Sequence, residues 1–114
     1  MEISFCSDKL KNAMNGEIGG SYSILKKQIR KDRVKCKLED IIMAYEVLKA
    51  AKMIKDIPRS YQFHGLSGNH KDEYAIKIDA KYRILFRIID DSVGRNDLLN
   101  AKSIEITKVG LDYH

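Results

Sequence analysis

The sequence predicts an α+β domain in which a short strand and a pair of helices pack on one face of a mainly antiparallel sheet. Three observations predict it. Apolar residues recur at helical spacing as far as about Ile54, the pattern changes to strict alternation after Pro58, and the helical segments precede the strand-like ones instead of alternating with them. At 114 residues the chain forms one domain, residues 1–114. A domain of that size buries roughly two thirds of the surface its unfolded chain exposes, and needs neither a metal nor a disulfide to fold.

Each element follows from its residues in turn. Ile3 to Cys6 is a short apolar, β-prone entry, and Ser7-Asp8 caps a brief helix through about Met14. Gly16, Gly19 and Gly20 break that helix. Ser21 is placed to cap a second one, because Tyr22, Leu25 and Ile29 fall at i, i+3 and i+7 on one face, while Lys26, Lys27, Arg30, Lys31 and Arg33 occupy the other. A longer helix runs from about Leu38 to Ile54. In it Leu38, Ile41, Ile42, Tyr45 and Leu48 keep helical spacing, Glu39, Asp40, Glu46, Lys49 and Lys52 face water, and Pro58 ends the run. The two helices are expected to form an antiparallel pair with their apolar stripes against the sheet.

The sheet is read from alternation. Tyr74, Ile76 and Ile78 alternate with Ala75, Lys77 and Asp79, and a tight connection around Ala80 leads into Tyr82 to Ile89. There Tyr82, Ile84, Phe86 and Ile88 point one way and Arg83, Leu85 and Arg87 the other. A polar loop from Asp90 to Lys102 precedes a last strand from Ser103 to about Val109, giving three to five strands in all.

Lys and Arg number 21 against 16 Asp and Glu, a net charge of +5 and a pI near 9.2. That excess suits a polyanionic partner, although many ordinary soluble domains share it. No apolar run is long enough to span a bilayer and no signal peptide opens the chain, so a cytoplasmic protein with no membrane partner is expected. Cys6 and Cys36 are remote from each other and from any His, which leaves no metal clip or redox pair; both are expected to be buried small apolar groups. The basic run from Lys26 to Lys37 reads as the wet face of a helix.

Three segments gather the side chains best suited to moving protons and holding phosphate: Tyr61 to Gly68 around His64, Lys81 to Arg87, and the final Asp112, Tyr113 and His114. RNA is cut without a metal when a base removes the 2′-hydroxyl proton, cations hold the crowded phosphate and an acid protonates the departing 5′-oxygen. Imidazoles titrate near neutral pH, so His64 and His114 suit either proton-transfer role. Arg83 suits a bidentate phosphate clamp, with Arg87 on the same face of its strand. Tyr113 suits donation to a phosphate oxygen or stacking on a base, and Asp112 suits orienting an imidazole. Taken singly, each also has an ordinary reading as a solvated turn, a charged stripe or a chain end.

In order, His64-Gly-Leu-Ser-Gly68-Asn-His-Lys71, Tyr74-Ala-Ile-Lys-Ile78, Tyr82-Arg83-Ile-Leu-Phe86 and Asp112-Tyr-His114 resemble the HigB group of the RelE/ParE toxin superfamily, the toxin halves of type II toxin-antitoxin pairs. Leu48-Lys-Ala-Ala51 with Ile57-Pro58 resembles the helix end that precedes the motif in a longer-chained branch. The similarity covers about residues 38 to 114. It implies a RelE-like fold and a ribosome-dependent mRNA endonuclease without cofactor or metal, neutralised by a helix-turn-helix, HigA-like antitoxin encoded beside it, in assemblies that include a heterotetramer. By position it implies His64, Arg83, Asp112, Tyr113 and His114 as catalytic residues. Many relatives carry Lys where this chain has Ser67, so Lys71, Lys77 or Arg87 is expected to supply the missing phosphate-binding cation. Superfamily members also include toxins that act on a protein target such as gyrase, and an inactive relative that only binds an antitoxin is a third reading.

Overall fold

Strand β4 (Tyr82–Ile88) organises the fold, because its alternation leaves one side wholly apolar: Tyr82, Ile84 and Phe86 are completely buried. The computed structural model describes residues 1–66 and 72–111. Strand β4 pairs antiparallel on one side with β3 (Glu73–Lys77) and on the other with β5 (Ser103–Leu111). At one edge β1 (Glu2–Phe5) runs parallel to β5, and at the other β2 (His64–Gly65) runs antiparallel to β3, for a five-stranded mixed sheet in the order β1-β5-β4-β3-β2. Three helices, α1 (Asp8–Met14), α2 (Ser23–Asp32) and α3 (Leu38–Ala50), complete the α+β architecture. One core cluster joins Leu25, Ile41, Ala44 and Leu48 from the helices to Ile76, Ile84, Phe86, Ile104 and Ile106 from the strands. Among the described residues no helix is long and apolar enough to cross a membrane.

Helix α1 starts where expected, with the Ser7 hydroxyl accepting the Leu10 N–H at 3.2 Å. Helix α2 starts one residue later than the Ser21 cap would place it. Tyr22 adopts the left-handed region (φ 52°), and the capping oxygen comes from the preceding loop: Glu17 accepts the Ile24 N–H at 2.9 Å, the Ser23 hydroxyl at 2.6 Å and the Ser21 hydroxyl at 3.3 Å. Gly16 (φ 81°) makes this loop possible, since a Cβ there would stand 2.8 Å from the Tyr22 ring.

The Ser23 and Ile24 hydrogen bonds hold the Glu17 carboxyl below its ordinary 4.5. A lowered folded value means a contribution to stability that is present above the unfolded pKa and lost as pH falls through the folded one. Glu17→Gln is therefore expected to lower the melting midpoint at neutral pH and to flatten its acid-side decline. Unchanged midpoints from neutral to acid pH would show that the loop cap contributes nothing.

Helix α3 stops at Ala50, short of the expected Ile54, because Ala51 is extended (φ −66°, ψ 135°); a separate 3-10 turn, Ile54–Asp56, then carries Ile54 into the core. Strand β5 continues to Leu111, two residues past the expected end.

Of the two thiols, Cys36 is buried as expected, but Cys6 is exposed because β1 has already ended at Phe5; its Sγ faces the Thr107 carbonyl at 3.5 Å. Burial, with Asp79 and Asp40 nearby, pushes the Cys36 thiol up to about 12. Burial and the Asp32 carboxylate that accepts from its hydroxyl likewise raise the Tyr82 phenol. Both shifts are upward, so the stability they represent is full below the unfolded values and is lost as pH rises. The melting midpoint is expected to fall above about pH 9, less steeply in Cys36→Ala, and a thiol reagent should titrate Cys6 at once and Cys36 only on unfolding.

Candidate active site

The register brings the sequence-predicted cations onto the side of the sheet away from the core. Residues directly opposite one another in paired strands share a face. One row across the sheet reads His64, Ala75, Leu85, Lys108; the next reads Lys77, Arg83, Gly110; a third, on the other side of the first, reads Glu73, Arg87, Glu105. Ala75 and Leu85 are buried at the centre of this face, and His64, Lys77, Arg83, Arg87 and Lys108 surround them. His64 and Arg83 stand two strands and two residues apart, about 12 Å between Cα atoms from ordinary strand spacings. Long side chains on such a frame can converge on one anionic group.

His64 owes its place to its neighbours. A 3-10 turn (Arg59–Tyr61) and a left-handed Gln62 (φ 48°) bring Phe63 onto Tyr74 and Phe86, with ring centroids at 5.4 and 6.0 Å, and the next two residues pair with β3 as an edge strand. The imidazole Nδ1 lies 2.7 Å from the Gln62 carbonyl oxygen. A carbonyl only accepts, so Nδ1 carries the hydrogen and the neutral ring presents its lone pair at Nε2, the nitrogen that takes up a proton.

Arg83 is half-buried and tied to the β3–β4 turn: Nη1 donates to the Asp79 carbonyl at 2.5 Å and to the Tyr82 carbonyl at 3.1 Å. The Asp79 carboxylate holds the same turn by accepting the Lys81 and Tyr82 N–H groups, both at 2.8 Å. A fixed positive charge is thus set at the Lys77 end of the face. Arg87 is engaged differently. Its guanidinium lies 3.7 Å from the Glu73 carboxylate, which also accepts the Thr107 hydroxyl at 3.1 Å, so its charge is shared within the sheet.

Lys108 is the residue that sequence reasoning missed. Strict alternation from Ile104 and Ile106 would send it to the core, but a register irregularity opposite Leu85 and Phe86 leaves Thr107 as the extra residue, so that Val109 is buried and Lys108 joins the opposite face. The three-residue step from Ile106 to Val109 was the available signal. Lys108 lies over Gly110, where a Cβ would meet its Cε at 3.0 Å. Of the remaining sequence candidates, Lys71, Asp112, Tyr113 and His114, and likewise Ser67, lie outside the described residues.

No family model and no curated protein matches the chain. A solved structure, the crystal structure of a YafQ mutant from E. coli, is similar over 97% of this chain and 90% of that one, with a TM-score of 0.39 and 12% sequence identity.

Proposed function

We propose that the chain is the toxin of a type II toxin-antitoxin pair and cleaves mRNA on the ribosome by metal-independent general acid/base catalysis. The observation that carries the reading is His64, with its tautomer set by Gln62, on the same sheet face as Lys77 and Arg83. In the proposed reaction His64 Nε2 takes the 2′-hydroxyl proton, the 2′-oxygen attacks phosphorus, and the departing 5′-oxygen takes a proton from His114, leaving a 2′,3′-cyclic phosphate. Arg83 and Lys77 stabilise the charge that builds on the phosphate, with Lys71 and Lys108 as further cations. Asp112 orients the terminal imidazole and Tyr113 donates to a phosphate oxygen or stacks on a base. The natural partner would be a HigA-like helix-turn-helix antitoxin, with the complex formed in the cytoplasm.

A second reading, a relative that binds its antitoxin without cleaving RNA, is favoured by the Glu73–Arg87 pairing and by Ser67 in place of a lysine. Primer extension on a defined mRNA in a purified translation system separates the two. Cuts made by the wild type only with ribosomes, and absent from His114→Ala, are expected. A wild-type protein that makes no cuts would favour the non-cleaving reading, and inhibition of gyrase supercoiling instead would point to a protein target.

A further inference from the structure

The chain's positive excess sits in one short stretch. Between Lys26 and Lys37 there are seven Lys and Arg and one acid, Asp32, so outside that stretch 14 Lys and Arg face 15 Asp and Glu and the remainder is slightly acidic. All seven cations, Lys26, Lys27, Arg30, Lys31, Arg33, Lys35 and Lys37, are exposed. Asp32 can offset only one of the seven, and its half-buried carboxylate also accepts from the buried Tyr82 hydroxyl. Among the described residues none of the seven has an ion-pair partner within 4 Å, in contrast to Lys49 and Arg87. The apolar side of the same helix is already satisfied, with Leu25 buried and Ile24 and Ile29 packed against the core. Packing therefore accounts for one face of α2 and leaves the other as a dense patch of unpaired charge.

That patch is separate from the cationic face of the sheet but adjoins it. Helix α2 touches β5 at the end opposite Arg83: Gln28 donates to the Val109 carbonyl at 2.6 Å, and its Nε2 stands 3.2 Å from where a Gly110 Cβ would be. His64 is three strands away across the sheet, roughly 14 Å. The composition of the patch indicates its ligand. Single-stranded nucleic acid is held by aromatic platforms on which bases stack, yet the stretch from Ser23 to Lys37 contains no aromatic residue. Cations without stacking groups recognise phosphates, and a convex helix presents them to a regular backbone.

We infer that the exposed face of α2 and the segment to Lys37 form a docking surface for the phosphate backbone of double-helical RNA, distinct from the strand to be cleaved. Anchoring there places the sheet face beside the duplex and does not depend on cleavage taking place. The test is fluorescence anisotropy with a short labelled RNA duplex and a single strand of equal length, at salt concentrations between about 50 and 200 mM. The proteins are the full chain, a Lys26→Gln/Arg30→Gln/Lys31→Gln variant, and a control with Lys52→Gln/Lys55→Gln/Lys81→Gln, three exposed cations elsewhere. The α2 variant is expected to lose at least about tenfold in duplex affinity at low salt, and its salt slope should become shallower by roughly two to three, near 0.9 per lost contact. The control should stay within about twofold, with all melting midpoints unchanged, since surface substitutions of this kind move stability little. Equal losses in both variants, tighter binding to the single strand, absence of duplex binding by the wild type, or preference for phosphatidylserine vesicles would each overturn the assignment. Cleavage is read separately, so duplex binding without cuts rejects the nuclease and keeps the docking surface, and cuts without duplex binding do the reverse.

Discussion

His64→Ala is expected to lower ribosome-dependent mRNA cleavage by about 10²–10⁴-fold, the usual range for removing a positioned general base. The melting midpoint should barely move. His64 lies half-exposed on a two-residue edge strand, and the side-chain hydrogen bond found for it is the one to the Gln62 carbonyl, so its loss falls in the range of ordinary surface changes, about ±0.5 kcal/mol. This combination separates a proton-transfer role from a structural one. A variant that cuts at the wild-type rate would remove His64 from the reaction, and a variant that loses activity only as it unfolds would make it a scaffold residue. Measuring the rate under single-turnover conditions keeps ribosome binding out of the comparison.

Phe86→Ala should have the largest effect on stability, a loss of about 3–5 kcal/mol. Phe86 is fully buried in the central strand and packs against both Phe63 and Tyr74, at 6.0 and 6.5 Å between centroids. Truncation leaves a cavity where three rings met, and neither β3 nor β5 can move inward without breaking its ladder with β4. For a domain of this size the midpoint should drop by on the order of 15–30 °C, a large share of a typical total stability of 5–15 kcal/mol. Phe86→Leu should cost much less, about 1.5 kcal/mol at most if the core repacks around it. Because Phe63 is the residue before His64, the alanine variant should also cleave more slowly at temperatures where it remains folded. A midpoint within a few degrees of the wild type would show that the three rings contribute little.

What could be read from the sequence, and what could not, follows one physical division. Signals with a local period were legible: the inward set Tyr82, Ile84 and Phe86 and the outward set Arg83 and Arg87 are where alternation puts them. The α+β class followed from the same periods. Features that depend on a distant partner were not legible. His64 reads as a residue in a glycine-flanked loop, and becomes an edge strand only because Ala75 and Tyr74 are there to pair with. The start of α2 was misplaced because its cap is Glu17, seven residues before the N–H it accepts. Cys6 was expected inside because it has no Cys or His nearby to pair with, yet the sheet leaves it just past the end of β1. Lys108 was hidden by a bulge, which shifts every later side chain to the opposite face. The proposed catalytic role of the terminal Asp112, Tyr113 and His114 comes from resemblance, and the His114→Ala comparison tests it at the imidazole.

Strand β5 lies between β1 and β4, and Glu2 pairs with Ser103, so β1 finds its neighbour in a strand on the far side of all three helices in the chain. During translation the helices emerge long before the strand that completes the sheet beneath them. Closing a loop of that length places a slow, non-local step at the end of folding. Until β5 is inserted, Gly110 and Lys108 are missing from the face that holds Arg83. A newly made chain therefore passes through an interval in which it exists but has no assembled cationic face.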